Sequence, residues 1–238
     1  MIHNELVSFS EQAQEELLAE ASAACPDPTC TLSFFRSIPR PLPLCPSRPL
    51  PQRTRKSKQL TLVLDLDETL VHSESMYVPD FDTRVEVELG EARWTVWVRY
   101  RPGLFPFLKK ANKHCEVVLF TAGLKAYADA VLQIIDPKRR LLRHRYYRDS
   151  CLELNGVHMK DLSILGRDLG KVVLVDNSMN AFACNLDNGI LVPSWFNDTS
   201  DSVLRHLWTF VQRELLKAED VTKVLERFFG FGRLLDKF

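Results

Sequence analysis

Two aspartates that follow an apolar segment are the first residues in this sequence whose types and spacing suggest chemistry. Asp65 and Asp67 come directly after the run LTLVL and are separated by one residue. In an open α/β sheet the ligand site lies outside the carboxyl ends of the strands. Burying unpaired carboxylates is unfavourable, so such a pair needs a cation or a polar pocket. A calcium loop is excluded because its glycine and terminal glutamate do not follow. A two-carboxylate Mg²⁺ site and a solvated strand end both remain.

Three later segments carry polar side chains that suit a bound phosphate and a metal ion. Thr121 follows the run CEVVLF and offers a hydroxyl near a helix start, where anions bind well. Lys160 begins another helical segment, and its ammonium suits phosphate as a point charge. Asp176 and Asn177 end the run KVVLV and carry oxygen atoms of the kind that Mg²⁺ accepts. Carboxylates, hydroxyl, lysine and acid therefore follow one another in a fixed chain order.

The segments that must position these residues are typical of an α/β fold. The runs LTLVLDL, CEVVLFT and KVVLVDN are short and apolar on both faces, as in central strands of a covered parallel sheet. RVEVELG and ARWTVWVRY alternate strictly around Gly90, which predicts a small antiparallel insert at about residues 77–100. Asn155-Gly156 predicts a tight hairpin. Helices are predicted from Arg101 to about His114, from Leu124 to Ile135, and roughly over 200–217 and 219–229.

The first 58 residues differ in composition from the rest and contain eight of the thirteen prolines. Ser8 and Glu11 have capping-box spacing before an Ala/Glu/Leu-rich run, which predicts one short helix to about residue 24. Residues 28–58 carry seven basic residues and no acid. This pattern indicates an extended linker, or a patch for nuclear import or for an acidic partner. We predict a disordered appendage over 1–58 and a folded domain over 59–238.

Charge and hydropathy exclude several classes of protein. Thirty-one basic residues balance thirty-one acidic ones, so no global attraction to nucleic acid or anionic lipid is expected. No apolar run approaches the roughly 18 residues that span a bilayer, and the acidic start is unlike a secretory leader. We expect an intracellular protein, in the nucleus or cytoplasm, with no membrane span and no direct nucleic-acid contact.

The ordered motifs DLDETLVHS, FTAG, KDLSILGRDL, VDNS and VPSWF resemble the haloacid-dehalogenase superfamily of phosphotransferases, and in particular its FCP/SCP branch. This branch includes RNA polymerase II C-terminal-domain phosphatases and Dullard-type nuclear envelope phosphatases. The resemblance runs from about Leu60 to Leu225. It implies a HAD-like Rossmannoid fold, with a mostly parallel central sheet flanked by helices, a small antiparallel insert and no large cap. The stretch RYYR is more similar to the Dullard type and LGRDL to the small C-terminal-domain phosphatases, so both types stay open.

The resemblance implies a role for each motif residue. Asp65 would be the nucleophile that forms an aspartyl-phosphate, and Asp67 would protonate the leaving hydroxyl and then deprotonate water. Mg²⁺ would be held by the Asp65 carboxylate, the Asp67 main-chain carbonyl and Asn177. The remaining roles are contacts to the phosphoryl oxygens, assigned to Thr121, Lys160 and Arg148, and support of the site, assigned to Thr69 and Asp176.

Two single positions in the site depart from the branch, and Ala183-Cys184-Asn185 replaces a stretch that in the branch contains an aromatic residue and a histidine. Met179 follows VDNS where the branch usually has proline, and Gly123 follows FTA where it usually has serine. The nucleophile, acid/base, lysine and metal positions are all retained, so an active enzyme is expected.

The short insert leaves no room for a large cap over a metabolite, which favours a protein-borne phosphate. The sequence thus predicts a Mg²⁺-dependent phosphoserine/phosphothreonine protein phosphatase, whose substrate is a phosphorylated protein and which could work with a recruiting or regulatory subunit. The resemblance also implies a hydrophobic groove beside the insert that reads the residues near the phosphoserine. Val78, Phe81, Val96 and Val98 are candidates to line it, and ordinary packing of the insert on the sheet is the alternative for these side chains. Two other functions stay open: a binding module like the mitochondrial import receptor of the branch, and a phosphatase for small metabolites.

Overall fold

The computed structural model describes residues 49–55 and 57–231, together with residues 12, 34, 35, 37–39 and 42. The predicted N-terminal helix lies outside the described residues except for Gln12. Within the described part of the chain, no helix combines the length and the apolar character needed to cross a membrane.

A five-stranded parallel sheet forms the centre of the fold. Its strands run in the order β10-β9-β1-β5-β6, and every neighbouring pair is parallel. The three apolar runs form its three middle strands, as predicted, because side chains that are apolar on both faces need cover on both sides. Side chains from Leu62 to Leu64 and from Val172 to Val175 have no exposed surface. The strands are β1 (Thr61–Leu64), β5 (Glu116–Phe120), β6 (His144–Tyr146), β9 (Val172–Asp176) and β10 (Gly189–Leu191).

A three-stranded antiparallel sheet follows β1 in the chain. Strands β3 (Thr83–Leu89) and β4 (Ala92–Tyr100) form the predicted hairpin, and Gly90 at its turn has φ +60°. Strand β2 (Val71–Glu74) pairs with the other edge of β4 and begins before the predicted start of the insert. It was missed because its sequence VHSE lacks the alternation that marks the other two strands. The second hairpin, β7 (Leu152–Leu154) and β8 (Val157–Met159), turns at Asn155-Gly156 as predicted.

Over residues 57–231, four α-helices flank the sheets: α1 (Leu104–His114), α2 (Lys125–Ile135), α3 (Val203–Phe210) and α4 (Val221–Phe228). Helix α2 ends where Asp136-Pro137 predicted, and the Asp136 carboxylate accepts the main-chain N–H groups of residues 140–142 at 2.8–2.9 Å. The predicted helix over 200–217 differs in detail, because α3 changes at Val211 into a wider π-helical turn that ends at Leu215. Short 3₁₀ helices span Arg148–Ser150, Leu162–Leu165, Leu169–Lys171, Met179–Phe182 and Leu186–Asn188.

Part of the predicted appendage contacts the folded domain. Leu50 is buried, and its N–H donates to the Leu165 carbonyl at 3.1 Å. Phe34, Phe35 and Ile38 are also buried within the hydrophobic core. Whether residues 1–58 form a separate unit stays a prediction, but these described residues pack against the domain that follows them.

Candidate active site

The carboxyl end of β1 carries the first aspartate of the DLDET motif. The Asp65 N–H donates to the Val175 carbonyl of β9 at 3.0 Å, which extends the parallel pairing by one residue. The Asp65 side chain is almost fully buried, with 6% of its surface exposed. Because β1 lies between β5 and β9, the residues that follow those strands reach the same edge of the sheet.

A buried lysine joins the ends of two of these strands. Lys160 Nζ lies 2.6 Å from Asp65 Oδ1 and 2.5 Å from Asp176 Oδ2. The Lys160 N–H donates to the Ala181 carbonyl at 2.7 Å, which fixes the start of the side chain. Burial alone would lower the pKa of Lys160, but the two carboxylates raise it above its ordinary value. The lysine therefore stays charged, and it holds both carboxylates at the sheet edge.

The second aspartate of the motif has a different environment. Asp67 Oδ1 accepts a short hydrogen bond from the Tyr127 hydroxyl, whose oxygen also lies 2.7 Å from Ser73 Oγ. Burial raises the pKa of Asp67 to about 7, the Asp65 carboxylate adds to the rise, and the hydrogen bond from Tyr127 opposes it. A carboxyl group that titrates near neutral pH can both donate and accept a proton, as general acid–base catalysis requires.

The turn between β1 and β2 holds this motif in place. Glu68 adopts φ +55°, a left-handed conformation that is uncommon outside glycine. Arg101, which is 1% exposed, donates to the Thr69 carbonyl at 3.2 Å and forms a two-pronged ion pair with Asp201 at 3.0 and 2.8 Å. The Trp195 N–H donates to the Glu68 carbonyl at 2.8 Å. These contacts from distant parts of the chain stabilise a turn that the local sequence does not favour.

Thr121 lies near the second carboxylate oxygen of Asp67, and Arg148 contacts the loop that follows Thr121. Thr121 Oγ1 accepts the Gly123 N–H at 2.8 Å and lies 3.4 Å from Asp67 Oδ2. Arg148 Nε donates to the Ala122 carbonyl at 2.6 Å, so the arginine is tied to the same loop. A Cβ atom added to Gly123 would lie 3.1 Å from Thr121 Oγ1 and 3.4 Å from Asp67 Oδ2. Glycine therefore permits a close approach of this loop to Asp67.

The oxygen atoms of the site are compatible with a magnesium ion. Asp65 uses Oδ1 for Lys160, and among the described residues its second carboxylate oxygen accepts no hydrogen bond. Asn177 donates to Ser194 Oγ at 2.9 Å through Nδ2, and its Oδ1 accepts from Thr69 at 3.3 Å. In the described chain, no three His, Cys, Asp or Glu side chains form a metal-binding group. Mg²⁺ does not require one, because it keeps several waters and takes only one or two protein carboxylates.

These residues surround an open cavity of about 580 Å³, which we call the active-site cavity. Four carboxylates line it, against two described cations, Lys160 and Arg148. A phosphate group that entered this surplus of negative charge would be repelled without a further cation. The carboxylates are Asp65, Asp67, Glu68 and Asp176, and all other predicted site residues except Thr69 also line the cavity.

The structure adds residues that the sequence did not single out. Tyr127 donates to Asp67 and contacts Ser73, and Arg101 holds the turn that follows Asp67. His158, from the second hairpin, and Asn180 line the cavity, and Asn180 Oδ1 is buried with no hydrogen-bond partner in the described structure. Tyr127 was missed because it lies on the amphipathic helix α2, where an aromatic residue at helical spacing indicates packing rather than chemistry.

The four candidate specificity residues of the insert differ in how deeply they are buried. Val96 and Val98 are buried at 5% and 0% exposure, which fits ordinary packing of the antiparallel sheet. Val78 and Phe81 are half-buried, and Phe81 contacts the ring of Tyr77.

Comparisons with known proteins agree with this fold and motif order. A family model described as NLI interacting factor-like phosphatase matches residues 60–222. "CTD small phosphatase-like protein 3" of Caenorhabditis elegans is 40% identical over 181 residues, which are 76% of this chain and 62% of that protein. "Carboxy-terminal domain RNA polymerase II polypeptide A small phosphatase 1" of Homo sapiens is 39% identical over 175 residues, 74% of this chain and 66% of that protein.

A solved structure of a phosphatase also matches this chain. The fission yeast RNA polymerase II CTD phosphatase Fcp1 bound to beryllium fluoride matches with a TM-score of 0.51 and 26% identity, over 77% of this chain and 55% of that one. The predicted HAD-like α/β fold is therefore confirmed. The chain spans 62%, 36% and 53% of the length of its relatives from Caenorhabditis, Dictyostelium and Drosophila. The motif order, the fold and the family match lead to one conclusion: the chain belongs to the NLI interacting factor-like phosphatase family.

Proposed function

We propose that this protein is a Mg²⁺-dependent phosphoserine/phosphothreonine protein phosphatase that works through an aspartyl-phosphate on Asp65. The observation that carries the proposal is the buried Asp65–Lys160–Asp176 cluster at an open cavity, with Asp67 two residues further along. Relatives named as RNA polymerase II C-terminal-domain phosphatases make that domain, or another phosphoprotein, the first substrate to test.

In the first step a carboxylate oxygen of Asp65 attacks phosphorus, the new O–P bond forms, and the bond between phosphorus and the serine oxygen breaks. Asp67 donates its proton to that leaving oxygen. Because burial raises the pKa of Asp67 to about 7, a substantial fraction of this group carries the proton at neutral pH. In the second step Asp67 takes a proton from water, which attacks the phosphoryl group and releases phosphate from Asp65.

Lys160 contacts one Asp65 oxygen directly and brings its positive charge to the place where the phosphoryl oxygens would lie. Thr121 and Arg148 line the same cavity and supply hydrogen-bond donors. Asp176 holds the ammonium of Lys160, so we assign it a positioning role. Positioning and electrostatic stabilisation account for most of the catalysis in phosphoryl transfer.

The residues that would hold Mg²⁺ are Asp65, the main-chain carbonyl of Asp67, and Asn177. When bound, the ion supplies positive charge that reduces the repulsion between the nucleophile and the phosphate. The surplus of carboxylates in the cavity supports this assignment, because Lys160 and Arg148 alone do not balance them.

The test measures phosphate release from a phosphoserine peptide and from an aryl phosphate, with Mg²⁺ and after chelation. We expect turnover that depends on Mg²⁺. We also expect the wild-type protein to take a ³²P label from the substrate that survives an acid quench, is released by hydroxylamine as an acyl phosphate is, and is lost in Asp65→Asn. We expect this variant to lose at least about a thousandfold in kcat, since it removes the nucleophile. The matched control is Asp168→Asn, an aspartate that caps a short helix away from the cavity. Wild-type turnover by Asp65→Asn would refute the mechanism, and preference for free sugar phosphates over peptides would refute the substrate class.

A further inference from the structure

A basic groove runs along the edge strand β6, outside the active-site cavity. One cavity of about 500 Å³ is lined by all three residues of β6 and by Pro49 and Leu50 from the N-terminal segment. A second cavity of about 460 Å³ shares Pro51, Arg143 and His144 with the first. The two cavities are therefore adjacent, and we call them together the β6 groove.

The sequence around β6 is strongly basic although the whole chain is neutral. The stretch KRRLLRHRYYR, residues 138–148, contains six Lys and Arg residues and no acid. Arg139, Arg143 and Arg145 line the first cavity, and Arg140 and Lys58 line the second. Two acids also line the groove: Asp149 in the first cavity and Glu116 in the second, where Glu116 is paired with Arg167 and Arg53. The basic residues outnumber these acids, and a local excess of one sign of charge in a concave surface focuses the field on a ligand of the opposite sign.

Some of these charges are already balanced, and their partners are identifiable. Asp129 accepts from Lys125 and lies 3.4 Å from Arg145 Nη1. Arg139 lies 4.0 Å from the same carboxylate. These residues contribute less net charge to the groove than their number suggests.

Arg140 and Arg143 are different, since both side chains are exposed and have no ion pair among the described residues. Arg143 is the more informative of the two because it lines both cavities. Lys58 donates to the Lys113 carbonyl at 2.7 Å, a contact that leaves its charge unbalanced. Three cations of the groove are thus available to an anionic partner.

The groove begins where the active-site cavity ends. Arg148 lines the active-site cavity, whereas its chain neighbours Tyr147 and Asp149 line the groove. Likewise, Gly123 lines the active-site cavity, and Lys125, two residues further along the chain, lines the groove. Arg143 precedes β6 at the amino end of the sheet, about 10 Å along the strand from Tyr146, whereas Asp65 lies at the carboxyl end, two strands away. Since each extended residue spans about 3.3 Å, a peptide held at Asp65 would reach the near end of the groove within a few residues and Arg143 after about six.

We propose that the β6 groove binds an acidic segment of the phosphoprotein substrate, about six residues along the chain from the phosphoserine that enters the active-site cavity. The proposal rests on the proposed function and adds a substrate class to it: phosphosites with carboxylates or further phosphates close by in the chain. Arg140 and Arg143 would make the direct contacts. A polynucleotide fits the groove less well, because Tyr146 and Tyr147 are buried at 7% and 9% exposure and offer no surface for base stacking.

The experiment compares two phosphoserine peptides that share one core and differ in a four-residue stretch that begins about five residues from the phosphoserine, Glu in one and Gln in the other. For the wild type we expect a kcat/KM about tenfold higher for the Glu peptide at low salt, falling as salt screens the contacts. In Arg140→Glu/Arg143→Glu this preference should disappear or reverse, while turnover of an aryl phosphate stays near the wild-type rate. Arg205→Glu/Lys223→Glu makes the same change of charge on α3 and α4, outside both cavities, and should keep the preference.

A binding measurement separates this proposal from the phosphatase mechanism. Fluorescence anisotropy of an unphosphorylated Glu-rich peptide should show weaker binding to Arg140→Glu/Arg143→Glu than to the wild type and to the control. This result does not require turnover, so it tests the groove even for an inactive protein. Equal binding to all three proteins would overturn the proposal and leave the basic residues as protection of an edge strand against pairing. Tighter binding of single-stranded RNA of equal charge would also overturn it.

Discussion

The two ends of the central sheet carry clusters of similar groups with opposite charge balance. At the amino end, Glu116 at the start of β5 accepts from Arg167 at 2.8 and 2.7 Å and from Thr61 at 2.8 Å, and lies 3.3 Å from Arg53. At the carboxyl end, Lys160 is shared by two aspartates, with Asp67 beside them. At the first end one carboxylate binds two guanidinium groups, whereas at the second end two carboxylates bind one ammonium and a third carboxyl group lies beside them.

The pKa values of Glu116 and Asp67 show the effect of this difference in charge balance. Burial alone would raise the pKa of Glu116, but the hydrogen bonds from Arg167 and Thr61 and the charges of Arg167 and Arg53 lower it to about 2. Burial and a neighbouring carboxylate instead raise the pKa of Asp67 to about 7. A fully compensated carboxylate stabilises the fold and has no proton to give near neutral pH. An uncompensated cluster can exchange protons and bind a cation, which is what phosphoryl transfer needs.

We expect the largest effect from a substitution that removes the cation at the carboxyl end of the sheet. Lys160→Met would leave Asp65 and Asp176 buried without their cation, which should lower the free energy of unfolding by about 3–5 kcal/mol. We also expect kcat for an aryl phosphate to fall by about a thousandfold or more, because charge stabilisation is lost. Thermal unfolding and steady-state kinetics measure the two effects. Lys171→Met is the control, since Lys171 Nζ donates to a main-chain carbonyl far from the cavity; equal losses in both variants would contradict the expectation.

The next effect concerns the proton on Asp67. Tyr127→Phe removes a hydrogen bond that stabilises the ionised carboxylate, so the pKa of Asp67 should rise further. We expect kcat to fall by about tenfold and the alkaline limb of its pH profile to move upward. Tyr147→Phe is a matched control, because that buried tyrosine donates to Asp129 at 2.6 Å. A pH profile that moves in neither variant would show that Tyr127 only fills space.

At the amino end the expected effect is on stability alone. The pKa of Glu116 is lowered from 4.5 to about 2, so its contacts stabilise the folded state fully above about pH 4.5 and lose this effect as pH falls toward 2. Glu116→Gln should therefore lower the free energy of unfolding at pH 7 by about 1 kcal/mol, allowing for solvent screening. Denaturant titrations at pH 7 and pH 3 should show a smaller difference from the wild type at pH 3. Aryl phosphate turnover at pH 7 should not change, and a loss comparable to that of Lys160→Met would contradict the comparison.

The smallest expected effect concerns the loop after β9. The Ser178 N–H donates to Asp176 Oδ1 at 2.8 Å, so this carboxylate holds the turn that a proline would otherwise restrict. Met179 is the first residue of a short helix, and Ser178 before it has an extended backbone, which are positions that accept proline. We expect Met179→Pro to stay within about 0.5 kcal/mol of the wild type in stability. A larger destabilisation in thermal unfolding would show that the Met179 side chain contributes essential packing.

Patterns that depend on near neighbours in the chain were predicted well. The three apolar runs, the strand alternation around Gly90 and the Asn155-Gly156 turn each specify an element, because burial and backbone sterics act locally. The pi-helical turn at Val211 and strand β2 were missed, because each depends on packing against distant residues rather than on a local period.

The sequence by itself determined which residues are available for chemistry and in what order, since motif spacing and strand period are properties of the chain. It also determined the α/β fold, because apolar runs on both faces of a strand can be buried in few ways. Only the tertiary structure decided that Lys160 lies between Asp65 and Asp176, that Tyr127 meets Asp67, and that the basic stretch lines a groove beside the cavity. These contacts join residues up to 95 positions apart, and such distances follow from how the strands and helices pack together rather than from any local pattern.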